Sequence, residues 1–276
     1  MGETIIEKII RHNTGKAVKP GDIVTVNVDR VMIHDIFIPF VAEKFEEMGF
    51  QKLWDPDKVV LIYDHLVPAS QQDDTRHFHV GDAFAAKYGM KNVHRSDGIC
   101  HQLMTEAGYV KPGNIVFGTD SHTTTYGCVG AFSSGIGYTE MASILGTGTM
   151  WIKVPETIKV VIDGELPENV MSKDIILRLI GDLRADGATY RALEFCGPLL
   201  PIIIPPVGKS GPGIFSIRSR YVQSGLSIRY TMPSQTSDRL WGGIFVAIPT
   251  AIPVEPFIKI LGILDGKTEG SVVSSL

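Results

Sequence analysis

Apolar residues along most of the chain follow two different periods, which alternate. The runs Lys58–Tyr63 and Asn114–Phe117 are continuously apolar after their first residue, which is typical of strands buried on both faces of a parallel sheet. The segments Phe40–Met48 and Gln71–Tyr88 read as helices, and a glycine follows each of them. Because strands and helices alternate, the sequence predicts an α/β fold, with a three-layer α/β/α domain over residues 1–197.

Further elements follow from the same periods and from the glycines that interrupt them. Residues 132–151 mix small and apolar residues, which predicts one tightly packed, glycine-rich helix. His34 and Asp35 are predicted to lie in a connection. His77 and His79 are two residues apart in a helical segment and share no face, so we expect both at the surface. We also predict strands at 21–29, 92–95, 157–162 and 190–195, and helices at 5–14, 98–107 and 173–183.

Ionisable side chains follow two of the predicted strands directly. Asp64 and His65 come after the run that ends at Tyr63, and Asp120, Ser121 and His122 follow the second run. Open α/β sheets bind ligands at the carboxyl ends of their strands, so these residues are candidates for chemistry. An ordinary polar turn, capped by the side chains after the second run, is the alternative. His101 stands near a predicted helix start, where the helix dipole favours a neutral imidazole.

The composition changes after Gly197. Residues 198–276 hold 9 of the 16 prolines but only 4 of the 30 acidic residues. Prolines interrupt the apolar segments, and neither a helical nor a strand period persists. We therefore expect residues 198–276 to form an aberrant, irregular tail that is disordered or poorly packed.

Charge and cysteine content exclude several classes of protein. The formal net charge of −4 gives no basis for binding nucleic acid or an acidic membrane surface. The chain starts with an amphipathic segment rather than with a signal peptide, and no stretch has the length and composition of a membrane span. Three single cysteines without a Cys-x-x-Cys pair fit a reduced, cytoplasmic setting.

Several short motifs occur in a fixed order, namely residues 19–24, His34-Asp35, Asp64-His65, Gly98–Gln102 and Gly118–Thr123. Together they resemble the large subunit of the aconitase and 3-isopropylmalate dehydratase family, which includes homoaconitase and 2,3-dimethylmalate dehydratase, from about Ile5 to Gly197. A single such motif is weak evidence, whereas several in the same order are strong. The resemblance implies a hydro-lyase that dehydrates and isomerises a branched 2-hydroxy dicarboxylate, as in leucine biosynthesis. It also implies a [4Fe-4S] cluster and a small swivel-domain partner subunit.

The resemblance also implies roles for individual residues. The catalytic residues would be acid–imidazole pairs that move protons, because a carboxylate fixes the tautomer of its imidazole and raises its basicity. These pairs would be Asp64 with His65 and Asp120 with His101, with His122 beside them. The substrate would contact His34 and Ser121.

The chain departs from the family pattern in its cluster ligands. The family's cluster cysteines, including a Cys-x-x-Cys pair, lie beyond the matched region, and an asparagine–glutamate helix is also missing. We predict no ligand role for Cys100, Cys128 or Cys196. The chain therefore reads as the N-terminal part of a large subunit, truncated and followed by a frameshifted or unrelated tail.

Two alternatives to an active hydro-lyase stay open. The chain is either a catalytically inactive truncated or frameshifted remnant, or a mononuclear metallohydrolase. The second would use residues that can hold zinc, namely His65, His101, Asp120 and His122.

Overall fold

A computed structural model describes residues 2–165, 167–184 and 187–197, and three short strands at 227–231, 245–247 and 271–273. The chain divides into two compact units, one of residues Ile9–Val154 and one of residues Met1–Lys8 with Pro155–Leu276. None of the helices in these described segments is long and apolar enough to cross a membrane. The α/β fold class predicted from the sequence is confirmed.

The described helices are α1 (Ile5–Thr14), α2 (Ile38–Glu47), α3 (Gln72–Tyr88), α4 (Cys100–Glu106), α5 (Tyr138–Thr147) and α6 (Ser172–Leu183). The described strands are β1 (Ile23–Asn27), β2 (Arg30–His34), β3 (Val59–Tyr63), β4 (Asn92–Arg95), β5 (Ile115–Gly118), β6 (Phe132–Gly135), β7 (Thr149–Lys153), β8 (Glu156–Asp163), β9 (Arg191–Cys196), β10 (Ser227–Thr231), β11 (Phe245–Ala247) and β12 (Ser271–Val273). Two 3-10 helices, Pro56–Lys58 and Ser121–Val129, connect some of them.

The unit of residues 9–154 is built on a five-stranded parallel sheet in the order β4-β3-β2-β5-β6. All five residues of β3 are buried, so both faces of the sheet are covered. On one face, Met32, Val60 and Val116 share a core cluster with Met104 of α4 and with Tyr126. The chain runs outward from β2 to β4 and then returns to β5, so the strand order reverses between β2 and β5. Such a reversal opens a crevice at the carboxyl ends of the strands.

Two predictions about secondary structure are wrong. Residues 132–151 form a strand, a helix and another strand, because Gly148 ends α5 in a left-handed conformation with a φ of 71°. His34 does not lie in a connection but is the last residue of β2, the central strand. The strand β7 pairs antiparallel with β1 beside the main sheet.

The second unit contains a parallel pair of strands, β8 and β9. Strand β10 pairs antiparallel with β8, β11 with β9, and β12 with β10. These three short strands are the described part of residues 198–276. The predicted irregular tail otherwise lies outside the described residues, so the boundary at Gly197 stays a prediction.

Candidate functional site

Three neighbouring strands place ionisable side chains at one edge of the parallel sheet. His34 ends β2, Asp64 and His65 follow β3, and Asp120 comes two residues after β5. His101 is the second residue of α4. The strands are neighbours in the sheet, so residues up to 86 positions apart in sequence come together at the crevice.

The Asp120 carboxylate is the centre of the site. Its Oδ1 accepts hydrogen bonds from His101 Nε2 at 2.9 Å, from His122 Nδ1 at 2.8 Å and from the His122 backbone N–H at 2.6 Å. Its Oδ2 lies 3.4 Å from His65 Nε2. Burial would raise the pKa of Asp120, but the contacts with His101, His122 and His65 outweigh burial and lower it. Asp120 is therefore an ionised carboxylate facing three imidazoles.

His65 lies between two carboxylates. Its Nδ1 is 2.7 Å from Asp64 Oδ1, and its Nε2 faces Asp120. The contacts with Asp120 and then with Asp64 raise the pKa of His65 to about 10. The backbone N–H of Cys100 donates to Asp64 Oδ2 at 2.7 Å. Burial would raise the pKa of Asp64, but the contacts with His65 and Cys100 lower it. At neutral pH His65 is an imidazolium that can deliver a proton.

Tyr126 is a site residue that the sequence did not reveal. Its hydroxyl lies 3.1 Å from Nδ1 of His101, whose other ring nitrogen faces Asp120. The side chain of Tyr126 is fully buried in the core of the sheet, and burial raises the pKa of its phenol well above the usual value. In the sequence, Tyr126 is one aromatic residue in a glycine-rich turn, 25 positions after His101, and nothing else marks it as a site residue.

Asp35 joins the ends of two strands and was likewise not predicted as a site residue. Its fully buried carboxylate accepts N–H bonds from Ile36, His65 and Leu66 at 2.8–3.2 Å. The main-chain carbonyl of Asp35 lies 3.0 Å from Nδ1 of His77. The prediction of a surface position is therefore wrong for His77, which is half-buried beside the site, whereas His79 is exposed.

His34 has polar atoms that no described protein group satisfies. Its side chain is 2 % exposed, and neither ring nitrogen has a hydrogen-bond partner in the described part of the chain. The ring stacks on His65 with centroids 4.1 Å apart, and its Nδ1 lies 3.8 Å from Asp35 Oδ1, beyond hydrogen-bond distance. Buried polar groups normally have partners. The two nitrogens of His34 are an exception, buried without a partner among the described residues.

His122 and Ser121 form the exposed side of the site. The side chain of His122 is half exposed, and Ser121 Oγ lies 3.4 Å from its Nδ1. Among the described residues, Nε2 of His122 has no hydrogen-bond partner. This nitrogen and the Ser121 hydroxyl are polar groups with which a small ligand can interact.

Three groups of side chains, two of which share His65, could also hold a metal ion. Within each group, one potential ligand atom from every residue lies within 4.8 Å of the others. The groups are His34 with Asp35 and His65, Asp64 with His65 and Cys100, and His101 with Asp120 and His122.

The seven site residues predicted from the sequence all belong to this one region of the unit of residues 9–154. Contacts between side chains connect His34 to His65, His65 to Asp64 and Asp120, and Asp120 to the remaining histidines. The arrangement can hold protons on defined nitrogens beside an ionised carboxylate, as acid–base catalysis requires. The roles of the individual residues stay predictions.

Comparison with known proteins identifies related sequences. The sequence profile of the aconitase family (aconitate hydratase) matches residues 7–202. The 3-isopropylmalate dehydratase large subunit 1 of Methanopyrus kandleri is 43% identical over 201 residues, which are 72% of this chain and 48% of that protein. The large subunits named 3-isopropylmalate dehydratase from Methanoregula boonei and Caldanaerobacter subterraneus are 44% and 41% identical, over 71% and 74% of this chain. The chain spans about half the length of these curated relatives.

Proposed function

This chain belongs to the aconitase family, and from that premise we propose that it carries the acid–base residues of a hydro-lyase that dehydrates and isomerises a branched 2-hydroxy dicarboxylate such as 3-isopropylmalate. The observation that supports the proposal most directly is the ionised Asp120 facing three imidazoles. The names of the relatives support the choice of substrate.

His65 is the proton donor in this proposal. Loss of a hydroxyl group as water requires a proton, and an imidazolium at the end of β3 can supply it. Asp64 holds Nδ1 of that ring at 2.7 Å and so orients Nε2. Asp120 with His101 forms the second acid–imidazole pair, and its charge keeps His65 protonated until a ligand is bound.

The substrate-binding groups in the proposal are His34, Ser121 and the free nitrogen of His122. Carboxylate and hydroxyl groups of a hydroxy dicarboxylate can accept or donate hydrogen bonds at these positions. The nitrogens of His34 are buried, so His34 would contact the ligand only after its ring moves.

Membership of the aconitase family implies a [4Fe-4S] cluster, but the described residues do not fit one. Such clusters are held by several cysteine thiolates, and no group of potential ligands among the described residues contains more than one cysteine. Burial raises the pKa of the thiols of Cys100, Cys128 and Cys196. Cys196 also belongs to a different unit from the other two. The proposal therefore concerns only the proton-handling residues.

A small swivel-domain subunit is the partner in this proposal, because the relatives are named as large subunits. Three free thiols fit a cytoplasmic location. An inactive remnant of such an enzyme would keep the same fold without binding the substrate.

A mononuclear metal site is the second candidate, since His101, Asp120 and His122 have potential ligand atoms within 4.8 Å. A metal ligand nitrogen must be unprotonated, whereas His101 and His122 here make N–H contacts with Asp120 that an ion would have to displace. Metal analysis of the purified chain decides this point: stoichiometric zinc would support the metallohydrolase.

Titration of the full chain with 3-isopropylmalate, followed by calorimetry, tests the proposal. We expect saturable binding that His122→Gln weakens by about tenfold or more, the effect of losing one hydrogen bond to a charged group. His79→Gln is the matched control, because His79 is exposed on α3, and it should leave the affinity unchanged. Absence of binding to the unmodified chain, with its fold intact, would indicate the inactive remnant.

A further inference from the structure

The hydroxyl of Tyr126 lies inside the core and contacts His101 at the ring nitrogen that does not face Asp120. Tyr126 belongs to the 3-10 helix Ser121–Val129 and is fully buried. Its hydroxyl is 3.1 Å from His101 Nδ1. His101 is thus held from both sides, by a phenol at Nδ1 and by a carboxylate at Nε2.

The chemistry of these neighbours fixes the position of the His101 proton. An ionised carboxylate only accepts hydrogen bonds, so Nε2 must carry a hydrogen to bond with Asp120 at 2.9 Å. A neutral imidazole then has an unprotonated Nδ1 that accepts a hydrogen bond. Tyr126 can donate to this nitrogen, because burial keeps its phenol protonated.

We propose that Tyr126 is a positioning residue, which holds His101 as the Nε2–H tautomer by donating its hydroxyl to Nδ1. Both nitrogens of His101 are then occupied by protein groups. His101 therefore acts on the reaction through Asp120. This consequence for catalysis rests on the proposed function, whereas the tautomer itself depends only on the geometry.

The histidines of the site then have different roles toward Asp120. His101 supplies a permanent N–H to Asp120 Oδ1, which also accepts two bonds from His122. The other oxygen of Asp120 is left to His65. The other tautomer of His101 would turn the lone pair of Nε2 toward the Asp120 carboxylate. The hydrogen bond between them would be lost, and the negative charge that faces His65 would be less stabilised.

A purely structural role for Tyr126 is the alternative explanation. A buried tyrosine hydroxyl usually finds a partner simply to offset its desolvation. Such a role would affect the stability of the fold without selecting a tautomer. The position of the proton on His101 is therefore the measurement that separates the two explanations.

Nitrogen NMR of the ¹⁵N-histidine-labelled full chain, at one neutral pH and without ligand, tests the proposal. In the unmodified chain, His101 should show a protonated Nε2 and an unprotonated Nδ1 that accepts a hydrogen bond. In Tyr126→Phe, the ratio of the Nε2–H to the Nδ1–H tautomer should fall by about two- to tenfold, the effect of one neutral hydrogen bond.

Tyr109→Phe is a matched control, because the Tyr109 hydroxyl lies 2.8 Å from Nε2 of another histidine, His94. This substitution should change the signals of His94 and leave those of His101 as they are. An unchanged His101 tautomer ratio in Tyr126→Phe would overturn the proposal. A proton on Nδ1 in the unmodified chain would do so too, and this result needs no variant that folds.

The measurement separates failure of this inference from failure of the proposed function. The tautomer is read in the absence of substrate, so a chain that binds no 3-isopropylmalate can still show the predicted tautomer. Conversely, a chain that binds the substrate with the other tautomer would retain the proposed function and refute the role of Tyr126.

Discussion

Asp35 is a buried carboxylate and Asp120 a partly buried one, and in both cases contacts with neighbouring groups outweigh burial and lower the pKa. Burial would raise the pKa of Asp35, but its contact with His34 and the backbone N–H groups of Leu66 and His65 lower it. Asp120 depends mainly on imidazole side chains. Backbone N–H groups of the loop after β3 thus add to the contact with His34 in holding the charge of Asp35, whereas contacts with three imidazole side chains hold the charge of Asp120.

We predict that His65 makes the stability of the fold dependent on pH. Its pKa is about 10 in the folded chain against an ordinary value of 6.5, so folding favours the protonated form. This stabilisation is complete below about pH 6.5 and is lost as the pH rises through about 10. His65→Gln removes it and should lower the free energy of unfolding at pH 6 by about 1–3 kcal/mol, the contribution of hydrogen bonds to a charged group.

The difference between the unmodified chain and His65→Gln should shrink as urea unfolding is repeated from pH 6 to pH 10. Other groups titrate in this range, but they do so in both proteins and cancel in the difference. His79→Gln is the control, and its difference from the unmodified chain should stay near zero at every pH. A constant difference for His65→Gln would mean that the imidazole is not charged in the fold.

Site residues next to a strand end could be identified from the sequence, but Tyr126, which contacts the site from the core, could not. Asp64, His65, Asp120 and His122 stand beside clear apolar runs, and sheet geometry brings such positions together. Tyr126 looked like one more aromatic residue in a glycine-rich turn. Its partner, His101, lies in a different element, and only the packing of α4 on the sheet brings the two together.

The strand and helix predictions failed where apolar residues run across an element boundary. The stretch from Val31 to Phe40 passes from β2 into α2 without a glycine to mark the change. In residues 132–151, small residues satisfy both helical and extended spacing, so the period alone could not separate β6, α5 and β7. Long runs such as β3 were predicted well because a continuous buried strand has few alternatives.

Strand β6 packs closely against the Asp120 loop at Gly135, and we predict that this contact tolerates no larger side chain. A Cβ atom on Gly135 would lie 2.6 Å from the carbonyl oxygen of Asp120 and 3.1 Å from Cα of Ser121. These are backbone atoms, so Gly135→Ala must displace β6 or the Asp120 loop. We expect a loss of about 1–3 kcal/mol in the free energy of unfolding, as for other overpacked sites, and weaker ligand binding.

Gly181→Ala is the comparison for this substitution. Gly181 is an exposed residue of α6, and nothing lies within 4 Å of a Cβ atom placed there. Alanine in a helix interior should stabilise it by up to about 1 kcal/mol. Urea unfolding measures both variants, and equal effects at the two glycines would show that the Asp120 loop is not held by close contact with β6.

The two units of the chain differ in the functional residues that they contain. The unit of residues 9–154 contains all seven predicted site residues, together with Cys100 and Cys128. The other unit contains Cys196 and the three short strands of residues 198–276. The curated relatives are about twice as long as the aligned region. What the chain does alone is therefore a separate question from what the family does.

We predict that the full chain alone does not assemble a [4Fe-4S] cluster. Cluster assembly needs several thiolates that converge on one site, whereas burial raises the pKa of all three thiols here and keeps them protonated. Anaerobic incubation with iron and sulfide should give neither the visible absorbance of a cluster nor four irons per chain. Adding the small subunit should then give no turnover of 3-isopropylmalate. A protein known to take up a [4Fe-4S] cluster, taken through the same procedure, controls for the reconstitution. Stoichiometric iron and sulfide in this chain, lost on replacing its cysteines by serine, would show that its thiols do converge.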